Sequence, residues 1–283
     1  MIVLSNAEAL TQRSQTGESC LRCRALIVGV AALIGVSGCA SLPEANHAAT
    51  PNGTFSYLTA GNGSPAVVFE SGLGDGKETW QPIFDEVGKF TTVFAYDRGG
   101  YGASAAYSPD RSATQIVEEL RALLKAAQID PPFVLVGHSI GGLYANLFAR
   151  TYPDEVDSVV FVDARHEDFS RRCKAARALI CEPPAFLMPL AGGGAMEEYK
   201  SAPASMQRVR DAGAFPPVPI TVLTGTRRWL EGPTFNRIWL ETQKELSEMS
   251  PEGKHVKCNH CGHYVHKDDP GLVIDAIRDV IAR

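Results

Sequence analysis

Short runs of apolar residues recur along the chain, and most of them are rich in β-branched and aromatic side chains. The central runs are continuously apolar and do not alternate between apolar and polar positions. Strands have this pattern when both faces of their sheet are covered. The pattern therefore predicts strands over 55–60, 66–71, 91–97, 133–139, 158–163, 220–225 and 255–260.

Amphipathic stretches with helical spacing lie between these runs. Residues 113–128 place their leucines and an isoleucine on one face and their charges on the other, and residues 143–152 and 271–283 repeat this pattern. Strands that alternate with helices favour a parallel arrangement, because each crossover helix covers a face of the sheet. The sequence thus predicts an α/β fold over residues 55–283, with a mainly parallel central sheet flanked by helices.

One interval breaks this alternation. More than fifty residues separate the strand predicted to end at Asp163 from the strand predicted to begin near Ile220. The interval is too long for a simple crossover and contains helix-like stretches. We interpret residues 165–217 as an inserted helical lid; the alternative is one ordinary helix with a long loop. An apolar pocket lining is expected from four side chains within it: Phe186, Leu187, Met188 and Leu190.

The N-terminal region has a different pattern. Arg22 and Arg24 precede the apolar run LIVGVAALIGV, which matches a secretory signal core and is short for a membrane span. The run leads into VSGC, residues 36–39, which resembles a bacterial lipobox. That resemblance implies removal of residues 1–38 as a signal peptide and attachment of lipid to Cys39. A plain signal peptide and a buried hydrophobic helix are the alternatives.

A lipobox implies an exported bacterial lipoprotein that is anchored on the periplasmic side of a membrane. Ala40 after the cysteine is compatible with the outer membrane. Residues 39–54 lack periodicity and are expected to form a flexible tether between the anchor and the folded domain.

Cysteine usage agrees with export. Four of the seven cysteines follow Cys39, and an even number in an oxidising compartment favours disulfides. The simplest arrangement is two local pairs, Cys173 with Cys181 and Cys258 with Cys261.

Composition narrows the classes of protein. The chain of 283 residues is 45% hydrophobic and 21% charged, as expected for a globular protein. Its formal net charge is -5, and the sequence has no basic stripe. Both features argue against a nucleic-acid partner, so none is predicted.

The first candidate for chemistry is Ser139. It lies in a G-x-S-x-G pattern, Gly137 to Gly141, directly after a predicted strand and directly before a predicted helix. This context is typical of the nucleophile elbow, in which a sharp turn presents the serine hydroxyl and glycines allow the backbones to approach. The alternative is a glycine-rich turn without chemistry.

A serine nucleophile needs a base and donors for an oxyanion. His263 follows the last predicted strand, where a loop can reach the end of the sheet that carries Ser139; His260 and His266 are weaker candidates. The backbone N–H of Ile140 is the expected first oxyanion donor. The N–H of Leu73, in the glycine-rich segment 71–76, is the expected second.

Taken together, these motifs resemble the α/β-hydrolase superfamily. The residues that carry the resemblance are SGLGDG (71–76), YDRGGYGAS (96–104), GHSIGG (137–142), DEVDSVVFVD (154–163) and GHYVHKDDP (262–270). The resemblance implies a Ser-acid-His triad, two backbone oxyanion donors, no cofactor and substrate entry beneath a lid.

The acid of the triad departs from the plan of most superfamily members, which place it after the strand corresponding to residues 220–225. The residues that follow here, TRRWLEG, contain no aspartate. Asp163, at the end of an earlier strand, matches an alternative acid site of the superfamily and is favoured. Glu231 is the second candidate, and Glu167 and Asp168 are weaker ones.

The stretch KCNHCGHYVH (257–266) also contains metal-ligand residue types. A metal on His263 would remove the base, and a second half-site is missing from the sequence. We therefore predict no metal site.

The sequence analysis predicts a serine hydrolase that cleaves carboxylic esters through an acyl-enzyme, with a small-molecule ester as its substrate. Hydrolysis of thioesters, lactones or amides is an alternative within the same chemistry. An alternative from another class is a surface-anchored binding protein that has the fold but no catalysis.

Overall fold

A computed structural model describes residues 43–104, 108–192, 194–228 and 231–283. The predicted signal peptide and the lipidation site at Cys39 lie outside these residues. No helix among the described residues is long and apolar enough to cross a membrane.

Eight strands form one sheet, in the order β1-β2-β4-β3-β5-β6-β7-β8. The pairs β1–β2 and β2–β4 are antiparallel, and all other neighbours are parallel. The prediction of a mainly parallel central sheet is therefore confirmed. The strands are β1 Asn46–Thr50, β2 Gly53–Ala60, β3 Ala66–Glu70, β4 Val93–Tyr96, β5 Phe133–His138, β6 Val156–Val162, β7 Ile220–Gly225 and β8 Gly253–Cys258.

Helices flank the sheet on both faces. Helices α2 and α3 share one apolar cluster with alternate strand residues such as Leu135 and Phe161, whereas α1 and α8 share a second cluster with Val136 and Val160. This double burial explains why the central strands are continuously apolar. The helices are α1 Gln81–Gly88, α2 Ala113–Ala126, α3 Ile140–Thr151, α4 Phe169–Ala175, α5 Ala195–Arg210, α6 Gly232–Ser247, α7 Val265–Asp268 and α8 Pro270–Ile281.

The expectation of a flexible tether over residues 39–54 is wrong for its second half. Residues 46–50 form β1, which pairs with β2 along its full length. Only Ala48 of this strand is buried. An edge strand with one small buried side chain is held by backbone hydrogen bonds, which leave no hydrophobic signal in the sequence.

The interval between β6 and β7 is a helical insertion, as predicted. It contains α4, a short 3-10 segment (Ala185–Ala191) and α5, and the Cys173–Cys181 disulfide joins α4 to the residues that follow it. Helix α5 packs against α2 and α3. The insertion thus lies beside the turn between β5 and α3, which carries Ser139.

Candidate active site

Ser139 lies at the sharp turn between β5 and α3. Its backbone angles, φ 54° and ψ -123°, lie outside the regions that most residues adopt. A Cβ on Gly137 would lie 2.6 Å from the Gly142 Cα, and a Cβ on Gly141 would collide with the carbonyl oxygen of Glu70. The glycines are therefore required by close packing of backbones at this turn.

His263 lies on the loop after β8 and meets Ser139 at the carboxyl end of the sheet. Its Nε2 is 3.0 Å from Ser139 Oγ, and its Nδ1 is 2.6 Å from Asp163 Oδ2. Because a carboxylate only accepts, Nδ1 carries the proton and Nε2 is left to accept from the serine hydroxyl. The structure thus brings three of the sequence-predicted site residues into one hydrogen-bonded chain.

Asp163 directly follows β6 and is fully buried, with a positive φ of 45°. Its second oxygen, Oδ1, accepts hydrogen bonds from the indole Nε1–H of Trp239 at 2.9 Å and from the backbone N–H of Gly225 at 3.2 Å. These donors stabilise the ionised carboxylate and fix its orientation towards His263.

Arg228 follows β7, in the loop where most superfamily members place their acid. Its guanidinium forms an ion pair with Asp163 and lies over the ring of Trp239, 4.4 Å from the centroid. Its Nη2 is 3.2 Å from His263 Nδ1. A cation therefore lies in the loop where most superfamily members have their acid, and the carboxylate on His263 comes from the end of the neighbouring strand, as favoured by the sequence.

Glu231, the second candidate for the acid, pairs with Arg228 instead, at 3.5 Å between Oε1 and Nη1. The weaker candidates also have other partners, since Glu167 lies against His166 and Asp168 binds Arg171. Among the four carboxylates considered, Asp163 is the one that the structure places on the imidazole.

Burial and several nearby charges shift the pKa of His263. Burial lowers its pKa below the ordinary value, and the Arg228 and Arg165 cations lower it further, while Glu231 opposes them. Burial also lowers the pKa of Arg228, to about 10, so the guanidinium still carries its charge at neutral pH. His263 is therefore neutral at neutral pH, as a proton acceptor must be.

Leu73 and Ile140, the expected oxyanion donors, line a small cavity of about 60 Å³ together with Ser139. Ile140 is the first residue of α3, so its N–H has no carbonyl partner within the helix. The loop that carries Leu73 is braced by Arg98, which donates to the carbonyls of Ser71 and Gly72 at 2.6 and 2.7 Å. Both predicted positions thus border the serine hydroxyl.

Arg98 also ties the insertion to this loop. Its buried guanidinium forms ion pairs with Glu70 of β3 and with Glu198 of α5, each at 2.8 Å. Because α5 belongs to the insertion, one buried cation holds the insertion and the loop of Leu73 in a fixed relation.

Two larger cavities lie near the site, and one of them is lined by Ser139. One, of about 250 Å³, has an apolar wall that includes Ile180, Pro183, Phe235 and Trp239. The other, of about 360 Å³, adjoins the small cavity through Tyr199, Ala202 and Met206. The expected lining by 185–190 is wrong for Phe186 and Leu190, whose side chains are exposed, although Met188 is buried.

Both expected disulfides are present, Cys173–Cys181 and Cys258–Cys261. The second disulfide ends at Cys261, two residues before His263, and restrains the loop that carries His263. Potential metal-ligand atoms of Cys258, His260, Cys261 and Asp269 lie within 4.8 Å of one another. Bonded to each other, the two sulfurs are not thiolate ligands. The absence of a metal site stays a prediction.

Sequence reasoning missed Arg228, Trp239 and His138. His138 Nε2 lies 3.0 Å from the backbone oxygen of His263, so the imidazole next to Ser139 donates to the loop of the base. Arg228 could have been found from the sequence, because it lies in the loop after β7, where most superfamily members have the acid of the triad. The contacts of Trp239 and His138 span 76 and 125 positions and leave no local pattern.

The fold and this serine turn define the class of the protein. A mainly parallel sheet between helices, with a serine at the tight turn after a central strand, is the α/β-hydrolase architecture. The model of the Alpha/beta hydrolase family matches residues 67–276, and the chain belongs to this family.

Among curated proteins, YqjL of Bacillus subtilis (strain 168) is 29% identical over 220 residues, which cover 78% of this chain and 85% of that protein. Among solved structures, a thermophilic esterase from Thermogutta terrifontis matches with a TM-score of 0.62 and 20% identity, over 85% of this chain and 98% of that one. An enol-lactonase from Burkholderia xenovorans LB400 matches with a TM-score of 0.65 and 17% identity, over 84% and 100%. These structural likenesses establish the fold.

Proposed function

We propose that the protein is a serine hydrolase of carboxylic esters with Ser139, His263 and Asp163 as its catalytic triad. The observation that carries the proposal is the hydrogen-bonded chain from Ser139 Oγ to His263 Nε2, at 3.0 Å, and from His263 Nδ1 to Asp163 Oδ2, at 2.6 Å. Nucleophile, base and orienting acid are the three roles that acyl transfer requires.

In the first half of the reaction, His263 Nε2 takes the hydroxyl proton as Ser139 Oγ attacks the ester carbonyl carbon. The backbone N–H groups of Leu73 and Ile140 stabilise the oxyanion, each by about 3 to 4 kcal/mol. Collapse of the tetrahedral intermediate breaks the carbon–oxygen bond, and His263 gives its proton to the departing alcohol.

In the second half, water attacks the acyl-enzyme. His263 takes a proton from the water, the same two N–H groups stabilise the second oxyanion, and the acid leaves as Ser139 regains its proton. Asp163 holds Nδ1–H in place throughout and stabilises the imidazolium that forms in each half.

An ester substrate is favoured by the site and by two of the structural neighbours. A serine nucleophile forms an acyl-enzyme, and the names of the two solved structures describe an esterase and an enol-lactonase. The apolar wall of Ile180, Phe235 and Trp239 suits an uncharged acyl or alcohol group next to the reacting carbonyl.

The proposal is tested with a series of p-nitrophenyl esters, from acetate to octanoate. Ser139→Ala should lower kcat/KM by at least about 10⁴-fold, because the residual rate comes from binding and the oxyanion donors alone. Ser201→Ala, the same change on α5, serves as the control and should keep the activity. Turnover by the Ser139→Ala variant at the rate of the unchanged protein would refute the assignment.

A fluorophosphonate probe separates catalysis from the alternative of a binding protein. The probe bonds covalently only with a serine that a base has activated, so it should label the unchanged chain and spare Ser139→Ala. An unlabelled native chain would favour the binding protein.

We further propose that the chain is an exported lipoprotein with lipid on Cys39. The basic residues Arg22 and Arg24, the apolar run after them and the VSGC sequence support this proposal. A labelled fatty acid should be incorporated into the chain in bacterial cells, and Cys39→Ser should abolish the incorporation. Labelling that persists in this variant would reject the anchor.

A further inference from the structure

The large apolar side chains that the structure leaves exposed are concentrated in one short segment. Among the described residues they are Leu179, Ile180, Phe186 and Leu190, with exposed fractions of 93%, 40%, 76% and 83%. All four lie within residues 176–192, which we call the strap. Exposed apolar residues scattered singly need no explanation, but a cluster of them marks a surface that contacts another apolar phase.

The strap borders the entrance to the proposed active site. Its residues Ile180, Cys181 and Pro183 line the cavity that contains Ser139 and His263. The disulfide from Cys181 to Cys173 on α4 and the ion pair between Glu182 and Arg165 hold it there. The exposed apolar side chains are therefore carried by an anchored segment at the mouth of the site.

The segment from α4 to the end of the strap carries a formal positive charge, opposite in sign to that of the whole chain. Residues 169–192 contain the basic residues Arg171, Arg172, Lys174 and Arg177 and a single acidic residue, Glu182, whereas the chain carries a formal charge of -5. Arg171, Lys174 and Arg177 are exposed; Arg171 and Lys174 have Asp168 and Glu182 as acidic neighbours, and Arg172 pairs with Glu245. Apolar side chains beside exposed cations match the two layers of an anionic bilayer surface, its acyl boundary and its phosphates.

We propose that this face, formed by α4 and the strap, docks on the surface of a bilayer that contains anionic phospholipid. In this orientation Leu179, Phe186 and Leu190 enter the boundary of the acyl layer, and the cations of α4 meet the headgroup phosphates. A second copy of the chain is a poorer occupant, because two such faces would bring their exposed cations Arg171, Lys174 and Arg177 together. Docking does not depend on the proposed function; what it adds is that apolar substrate reaches Ser139 from the lipid side.

The first experiment measures sedimentation of the full-length chain with phospholipid vesicles, in a Cys39→Ser background that removes any acyl anchor. Vesicles of phosphatidylcholine are compared with vesicles that also contain phosphatidylglycerol. The triple variant Leu179→Ser, Phe186→Ser, Leu190→Ser should bind the anionic vesicles at least tenfold more weakly. Undiminished binding by this variant would overturn the proposal.

Charge is tested with a matched pair of double variants. Arg171→Gln with Lys174→Gln should weaken binding to anionic vesicles several-fold and reduce its dependence on salt. Lys89→Gln with Lys125→Gln removes the same charge from two exposed positions, one directly after α1 and one on α2, and should leave binding unchanged. If both double variants lost vesicle binding equally, the proposed orientation, with α4 and the strap on the bilayer, would be overturned.

A probe within the strap makes the test independent of the N-terminal apolar run. A tryptophan introduced by Phe186→Trp should be quenched by phospholipids that carry bromine on their acyl chains. If the fluorescence of the tryptophan at position 186 stays unquenched while the protein is bound to vesicles, docking by the strap is rejected. Docking by the strap would also be rejected if light scattering showed that the parent chain is a dimer and that the triple serine variant is a monomer. In that case a second copy of the chain would cover this face.

Ser139→Ala separates this proposal from the proposed function. It should bind vesicles as the parent chain does while showing no esterase activity, so each proposal can fail alone.

Discussion

At the scale of single residues, the feature that distinguishes this site is the exchange of charges around the imidazole. Arg228 stands three positions after β7, where superfamily members commonly have their acid, and Asp163 supplies the carboxylate from the end of β6. The cation compensates the buried carboxylate and at the same time disfavours a proton on His263. Arg228 thus acts on both Asp163 and His263.

Asp163 and Glu231 can be separated by their amide variants. Asp163→Asn should lower kcat by about 10⁴-fold, because the imidazole then loses the partner that fixes its tautomer. Glu231→Gln should stay within about tenfold of the parent, since its carboxylate lies on Arg228. Steady-state kinetics with a p-nitrophenyl ester measure both, and an inactive Glu231→Gln beside an active Asp163→Asn would reverse the assignment.

The charges around His263 predict the pH dependence of the rate. The base must be neutral, so activity falls as pH drops through the pKa of His263. Since that pKa lies below its ordinary value, the acid limb of kcat/KM in the parent should lie below about pH 6.5.

Two variants should move this limb in opposite directions. Arg228→Gln removes a cation that lowers the pKa, so its limb should move to higher pH; Glu231→Gln removes an anion that raises the pKa, so its limb should move to lower pH. Profiles of kcat/KM between pH 4 and 9 measure the shifts. Movement of both variants in the same direction would contradict the electrostatic account.

At the scale of elements, each disulfide supports a different part of the site. Cys173–Cys181 fixes the strap, which forms a wall of the cavity, whereas Cys258–Cys261 shapes the loop that carries His263. Their loss should therefore have different kinetic signatures.

Replacing Cys173 and Cys181 by serine should raise KM for the longer esters more than it changes kcat, and should lower the free energy of unfolding by about 2 kcal/mol through the opened loop. Replacing Cys258 and Cys261 by serine should lower kcat more than it changes KM. Kinetics and urea unfolding on both pairs test the contrast. Identical kinetic effects would show that neither disulfide acts on a particular part of the site.

The elements also show which features of the fold a sequence can reveal. Strands β3, β5 and β6 were predictable because both of their faces are buried, which leaves an uninterrupted apolar run. Strand β1 was not, because its backbone pairing needs no apolar side chain beyond Ala48.

Ser139 was recognisable from its local turn, but the choice of Asp163 needed the order of the strands. That order brings residues 100 positions apart to a distance of 2.6 Å. Trp239 had no local signal, because its indole meets Asp163 only after α6 packs against the sheet.

At the scale of the whole molecule, histidines with lowered pKa values make stability depend on pH, and His138 and His266 are the two most buried of them. His138 and His266 have almost no exposed surface, and burial lowers the pKa of each well below 6.5. The unfolded chain binds protons at these positions below about pH 6.5 while the folded chain does not. Their contribution to stability is therefore complete above that pH and is lost as the pH falls further.

The resulting slope is about 1.4 kcal/mol per pH unit for each histidine, measured below pH 6.5. His266→Gln removes one of the two groups and should make the free energy of unfolding fall less steeply between pH 6 and pH 4.5. His47→Gln, at an exposed position on β1, should keep the parent slope. Urea unfolding at several pH values gives both slopes, and an unchanged slope in His266→Gln would contradict the account.

The proposed position of the acid, directly after β6, has an evolutionary consequence for the loop after β7. With the proposed acid outside this loop, its positions other than Arg228, which contacts Asp163 and His263, can vary without removing a member of the proposed triad. Arg228 and Glu231, from the loop after β7, line the cavity beside Ser139. The positions of this loop other than Arg228 are therefore the natural place for a mutant library aimed at new ester preferences.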